Sequence, residues 1–265
     1  MTNFDDIAKK IRLLILDLLY STRSPHIGSS FSIVEILVAL YFKQMNISKA
    51  NFTFVNRDRL ILSKGHACPA LYAVLFEKGI IDEKQLIGFA QNSGSFEQHT
   101  SYDISKGMEF TSGSLGHGLS YGAGIALAAK YKKLDYNTYV IIGDGELNEG
   151  STWENILFSG HHQLSNLIVL VDYNKIQALG NNKDILDLEP FVDKWESFNW
   201  HVQNIDGHNF EQIFNALESL STTKANVIIL NTVKGKGVSF MENQLLWHYR
   251  CPDLKEYELA KGELK

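Results

Sequence analysis

Two short polar clusters each close an apolar run. Residues 138–142 (TYVII) lead into Gly143-Asp144-Gly145, and residues 167–171 (LIVLV) lead into Asp172-Tyr173-Asn174. If both runs are parallel strands, Asp144 and Asn174 stand at the carboxyl edge of one sheet, where open α/β folds bind ligands. A carboxylate and an amide oxygen are hard donors, suited to Mg²⁺ or a related divalent cation such as Ca²⁺ or Mn²⁺. Asp144 alone would repel a bare diphosphate, and a divalent cation between them removes that repulsion. The glycines flanking Asp144 permit a tight turn and a close approach of phosphate oxygens. A dinucleotide fingerprint does not fit, because Asn148 stands where G-x-G-x-x-G needs its third glycine. A Walker A loop is absent from the sequence, which argues against a generic Mg²⁺-nucleotide domain. The pattern therefore points to a metal-bound diphosphate.

These clusters need a sheet to hold them. Residues 138–142, a helix over 151–162 and residues 167–171 read as one β-α-β unit. Residues 58–63 (DRLILS) read as a further strand, as do 200–205 and 226–232. Alternating strands and helices predict an α/β fold, a mostly parallel sheet with helices on both faces. Residues 4–20 carry Ile7, Ile11, Leu14, Ile15 and Leu18 at helical spacing. A Gly/Ser/Pro-rich break is expected from Ser21 to Ser30. Ser32 with Glu35 three residues on then predicts a capping box, opening a helix to about Lys43. Lys64-Gly65-His66 reads as a turn, with a helix after Pro69. Residues 92–114 are polar and glycine-dotted, and a loop that long is usually functional or mobile. A helix over 116–133 contains Gly118 and Gly122, which predicts close backbone packing, since glycine otherwise costs helix stability. The last dozen residues read as a polar amphipathic helix. No linker composition interrupts the chain, so residues 1–265 are expected to form one domain.

Composition narrows the function. The 265 residues carry 25 Lys plus Arg against 30 Asp plus Glu, a formal charge of -5. That balance argues against nucleic acid and against a polybasic membrane surface as partners. Charged residues interrupt every apolar run before it reaches membrane-spanning length. Asp5 and Asp6 precede any basic residue, unlike a signal peptide. Two cysteines, Cys68 and Cys251, make no disulfide framework, and a reducing cytoplasm is the expected location. Cys68 lies close to His66, but without an adjacent base it is expected to be a buried, inert thiol.

The run GDGELNEG, followed by a β-α unit and DYNK, resembles the thiamine diphosphate signature. The chain as a whole resembles the N-terminal, diphosphate-binding half of transketolase. The resemblance rests on SPHIGSS at 24–30, LSKGHA at 62–67, TSGSLGHG at 111–118, GDGELNEG, DYNK, and VKGKGVSFMEN with WH at 233–248. It implies thiamine diphosphate with a divalent cation, and transfer of a two-carbon ketol unit from a ketose or ketose phosphate to an aldose. Asp144, Asn174 and the Ile176 carbonyl match metal ligands. Gly143 and Gly145 match positions beside the diphosphate, and Gly113 and Leu115 match backbone positions beside the aminopyrimidine. Glu149 matches an interface acid near the cofactor. His26, His66, His99 and His248 match substrate-channel positions, with His66 and His248 also near the cofactor. Imidazole suits such a channel, because ketol transfer moves protons near neutral pH. His161 and His162 read as structural, and His117 as a residue behind the cofactor loop.

The resemblance also implies a partner. The pyrimidine-binding domain, with the glutamate that protonates the cofactor ring, matches nothing in this sequence. A separate C-terminal transketolase-like subunit would supply it, in an α₂β₂ assembly. The sequence departs from the family pattern at Pro25-His26-Ile27, Gln98-His99-Thr100 and His248-Tyr249-Arg250. Those departures line the expected channel and favour specialised sugars over ordinary pentose phosphates. Two other readings fit the same residues: half of another thiamine enzyme (deoxyxylulose-phosphate synthase-like or a 2-oxoacid decarboxylase), or a non-catalytic cofactor-binding module.

Overall fold

The computed structural model describes residues 3–265. Among these residues five strands form one all-parallel sheet: β1 (Arg59–Leu62), β2 (Thr138–Gly143), β3 (Leu167–Tyr173), β6 (His201–Asp206) and β7 (Asn226–Asn231). Their order is β1-β2-β3-β7-β6. A two-residue hairpin, β4 (Ile176–Gln177) with β5 (Gly180–Asn181), follows β3. Gly143 sits beside Asp172 in the β2–β3 register, so both polar clusters leave the same sheet edge together.

Alternation along the strands divides the apolar residues between two cores. Leu60, Leu62, Ile141, Ile168, Leu170 and Ile228 face one side. They meet helices Phe4–Thr22, Val34–Ala39, Cys68–Glu77 and Phe210–Glu218, through residues such as Ile11, Ile36, Leu71 and Ile213. Ile61, Val140, Ile142, Val169, Val171 and Val227 face the other side. There they meet helices Gly118–Lys132, Gly150–His161 and Phe191–Ser197, through Ala123, Ile156 and Trp195. A sheet covered on both faces explains why its central strands read as unbroken apolar runs. Among the described residues no helix is long and apolar enough to cross a membrane.

Close packing around the glycine-bearing helix follows expectation at two positions. A Cβ on Gly118 would come within 2.2 Å of Ser63 Oγ, and one on Gly122 within 2.4 Å of Val140 Cγ2. The helix backbone therefore lies almost directly on β1 and β2. The loop over 92–114 is largely irregular, with one short turn at Ile104–Lys106. It is held down by a buried Arg57–Glu109 pair and by Thr100, whose hydroxyl donates to the Phe110 carbonyl at 2.8 Å.

The N-terminal region departs from expectation. The first helix continues to Thr22, ending on Arg23 in the left-handed region, and a new helix starts at Ile27. The break is therefore much shorter than Ser21 to Ser30. No capping box forms at Ser32. The Ser32 hydroxyl donates instead to Asp172 at 2.8 Å, and Glu35 takes Arg12 and His208. Both side chains found tertiary partners, which outcompete the local pairing. The helix from Val34 ends in a wider turn over Leu40–Gln44. Helices Glu83–Ile87, Asn182–Ile185, Phe191–Ser197 and Phe210–Glu218 were not anticipated by the periodicity. The C-terminal helix is present at Leu254–Leu264, opened by an Asp253–Glu256 capping box.

Candidate active site

A cleft of about 230 Å³ opens at the carboxyl edge of β1, β2 and β3. His26, His66, His99, His248, Gly113, Leu115, Gly143, Asp144, Gly145, Asn174 and Ile176 all line it. Segments more than 200 residues apart in sequence thus meet where the motif reading placed them. Glu149 is the exception. It is exposed, just before helix Gly150–His161, and does not line the cleft. The tight turn after β2 sends Glu146 inward and leaves Glu149 on the rim. His117, His161 and His162 are exposed and also outside the cleft lining. Cys68 is fully buried, and burial pushes its thiol up, as expected of an inert cysteine.

The oxygen-rich end is built by β2, β3 and the β4 hairpin. Asp144 is 2% exposed and accepts backbone N–H bonds from Gly145 and Lys175. Burial and the neighbouring Asp172 carboxylate push Asp144 up to about 6. The Asn174 amide donates to Asp172 at 3.0 Å, and its oxygen accepts from the Ile176 N–H at 3.1 Å. Asp172 is fully buried and also accepts from Lys64, Ser32 and Thr232. Burial opposes its ionisation, but the Lys64 ammonium and these bonds win and hold it below the usual range.

The adjoining wall is cationic and imidazole-rich. Lys234 is 1% exposed, and its ammonium donates to the Ile176 carbonyl at 3.0 Å and to His248 Nδ1 at 3.1 Å. Among the described residues it has no carboxylate partner. Burial and the Lys64 charge lower it to about 8. The His26 ring lies 5.2 Å from His66, 4.9 Å from His248 and 6.4 Å from His99. Burial, then His99 and Lys234, hold His26 at about 4. Burial and Lys234 hold His248 at about 3, and burial also lowers His66 and His99. The cluster is therefore neutral at pH 7, with ring nitrogens able to hydrogen-bond a sugar hydroxyl. His26 itself adopts φ 74, and its Nδ1 is buried without a partner.

These residues fit a metal-bound diphosphate. The donors at one end are all oxygens: a buried carboxylate, an amide and a backbone carbonyl. A buried ammonium paired only with neutral groups is the complement of an anion. Among the described residues no three His, Cys, Asp or Glu side chains cluster as a metal site. The diphosphate's own oxygens would therefore have to complete the coordination shell. Sequence reasoning missed Lys64, Glu146, Asp172 and Lys234 as parts of this wall. The available signal was position. Lys64 and Lys234 each follow a buried strand by two or three residues, at the same carboxyl edge as Asp144.

Comparison with known proteins bears on what this cleft serves. The transketolase thiamine diphosphate binding domain matches residues 4–262. The chain belongs to the transketolase family. It is 44% identical over 260 residues to the 6-deoxy-6-sulfo-D-fructose transketolase subunit SqwG of Clostridium sp. (strain MSTE9), covering 97% of this chain and 94% of that one. It is 36% identical over 259 residues to one subunit of the apulose-4-phosphate transketolase of Phocaeicola vulgatus, covering 97% and 92%. The solved transketolase of Leishmania mexicana superposes with a TM-score of 0.91 at 27% identity, covering 100% of this chain but 41% of that one. The parallel sheet with helices on both faces is thus the transketolase diphosphate-domain fold. This transketolase-family chain matches proteins named as transketolase subunits nearly end to end, and about two fifths of the solved Leishmania mexicana transketolase chain.

Proposed function

We propose that this chain, as one domain over residues 1–265, is the diphosphate-binding subunit of a cytoplasmic two-subunit transketolase. A C-terminal transketolase-like partner would bring the pyrimidine-binding domain, in an α₂β₂ assembly. The observation that carries this reading is the cleft's two-ended chemistry: Asp144, Asn174 and the Ile176 carbonyl at one end, four histidines at the other, and Lys234 between. Asp144, Asn174 and the Ile176 carbonyl would hold Mg²⁺. Gly143 and Gly145 keep the phosphate approach free of side chains, and Lys234 would meet the diphosphate charge. Gly113 and Leu115 would present backbone atoms to the aminopyrimidine, while Glu149 on the exposed rim would meet the neighbouring subunit. Bound there, thiamine diphosphate supplies the nucleophilic carbon and electron sink needed to break a C–C bond beside a carbonyl. His26, His66, His99 and His248 would bind the sugar hydroxyls and, being neutral, hydrogen-bond the hydroxyl that becomes a carbonyl.

The relative at 44% identity is named for 6-deoxy-6-sulfo-D-fructose, so a six-carbon ketose with a terminal anionic group is the first donor to test. No arginine lines the described cleft. The partner subunit would then supply the arginines that read the distal anion. The test is affinity capture of the tagged chain from its own cells, then reconstitution with the retained partner, thiamine diphosphate and Mg²⁺. Ketol transfer from the sulfo-ketose or a ketose phosphate to an aldose, present in the pair and absent from either chain alone, supports the reading. Transfer by the pure single chain, or pyruvate-dependent CO₂ release by the pair, overturns it.

A further inference from the structure

Glu146 takes no part in the metal and histidine sets above, yet it is 1% exposed and lines the cleft. Its carboxylate joins three segments of the wall. Oε1 accepts the Gly116 N–H at 2.9 Å and the Ser63 hydroxyl, while Oε2 accepts the Gly143 N–H at 3.4 Å. Ser63 Oγ in turn accepts the Gly118 N–H at 3.1 Å. Gly143 belongs to the strand end that leads into Asp144, and Gly116 and Gly118 belong to the loop that carries Gly113 and Leu115. There is no slack around this joint. A Cβ on Gly65 would lie 1.8 Å from Ser112 Oγ, and one on Gly116, at φ +85, would lie 2.7 Å from Glu149 Cβ.

We infer that Glu146 is a positioning residue that sets the distance between the diphosphate end of the cleft and the loop facing the aminopyrimidine, so that the site selects a whole thiamine diphosphate over a bare diphosphate. The inference rests on the cofactor reading proposed above. A ligand that spans the cleft needs both ends at once, and each end is already fixed to the same carboxylate. A short ligand, inorganic diphosphate, uses only the Asp144 end and is indifferent to where the 111–118 loop lies. A carboxylate that accepts from three directions does this better than an amide. In E146Q one of those three donors would face an NH₂ group instead of an oxygen.

The test is calorimetric binding of Mg²⁺-thiamine diphosphate and of Mg²⁺-diphosphate to the chain assembled with its captured partner subunit, in the wild type, E146Q and S63A. S63A removes the hydroxyl while leaving the carboxylate and its two backbone bonds. In E146Q the preference for thiamine diphosphate over diphosphate is expected to fall about tenfold or more, through the thiamine diphosphate Kd alone. S63A is expected to lower it severalfold, and its preference decides the matter if E146Q does not fold. A pair that binds both ligands with its preference unchanged in the folded variants, or with an equal loss for both, overturns the inference alone and makes Glu146 a purely structural residue. A wild-type pair that binds neither ligand overturns the cofactor reading and, with it, this inference.

Discussion

A histidine held neutral inside a protein leaves a signature in how stability depends on pH. His26 titrates at about 4 when folded and near 6.5 when unfolded. Between those values the unfolded chain binds the extra proton, so stability falls as pH drops from 6.5 toward 4. At pH 5 the fully buried limit is roughly 2 kcal/mol. His26 is partly open to solvent, so about half of that, roughly 1 kcal/mol, is the working figure. The total pH response of the chain does not report this cleanly. Asp144, lifted to about 6, gains stability over the same range, by about 1 kcal/mol, and opposes it. The comparison that isolates His26 is therefore a double difference. Asn suits the site, because His26 stands at φ 74, a conformation that Asn adopts readily. Urea unfolding of the wild type and H26N at pH 7 and pH 5 gives four stabilities. Relative to the wild type, H26N should be about 1 kcal/mol better at pH 5 than at pH 7. A difference that is the same at both pH values would show that His26 is not held neutral, and would refute the electrostatic account of the histidine wall.

The other expectations concern single side chains. K234M should weaken binding of Mg²⁺-diphosphate about ten- to hundredfold, the worth of one charge-assisted contact in a buried site. Isothermal titration at fixed ionic strength reads this, and unchanged affinity would remove Lys234 from the anion site. E35A leaves the Arg12 guanidinium, 5% exposed, without its carboxylate, and should cost about 3–5 kcal/mol in chemical unfolding. G122A forces a methyl against Val140 and should cost about 1–3 kcal/mol, with a melting-temperature drop that V140A partly reverses.

The readability of the sequence varied with how local each signal was. β2 and β3 were legible because a strand buried on both faces shows as an unbroken apolar run, and the polar residues that end it are then conspicuous. The helix over Phe4–Thr22 was legible from its period. The Ser32–Glu35 pair was misread because its spacing is local while its real partners, Asp172 and Arg12, are distant in sequence. Lys64 and Lys234 were passed over for a related reason. A lysine in a polar motif normally reads as solvated, and only the packed fold shows both ammoniums inside the cleft wall. Glu146 and Glu149 stand three residues apart; the motif matches Glu149 to an interface acid, and only the packed turn shows that Glu146 is buried in the cleft wall.

The sheet order has a consequence for how the chain is made. β1 pairs with β2 across about 75 intervening residues, and β6 reaches its place only when β7 pairs beside it. At ordinary synthesis rates of roughly 5–20 residues per second, β1 leaves the ribosome several seconds before its neighbour exists. During that interval the apolar helices from Phe4 to Glu77 have no sheet to cover. Parallel sheets built from distant segments fold slowly and expose sticky surface while they do so. Recovery of folded protein should therefore rise at lower growth temperature or with added chaperone, even if the finished chain proves thermally robust.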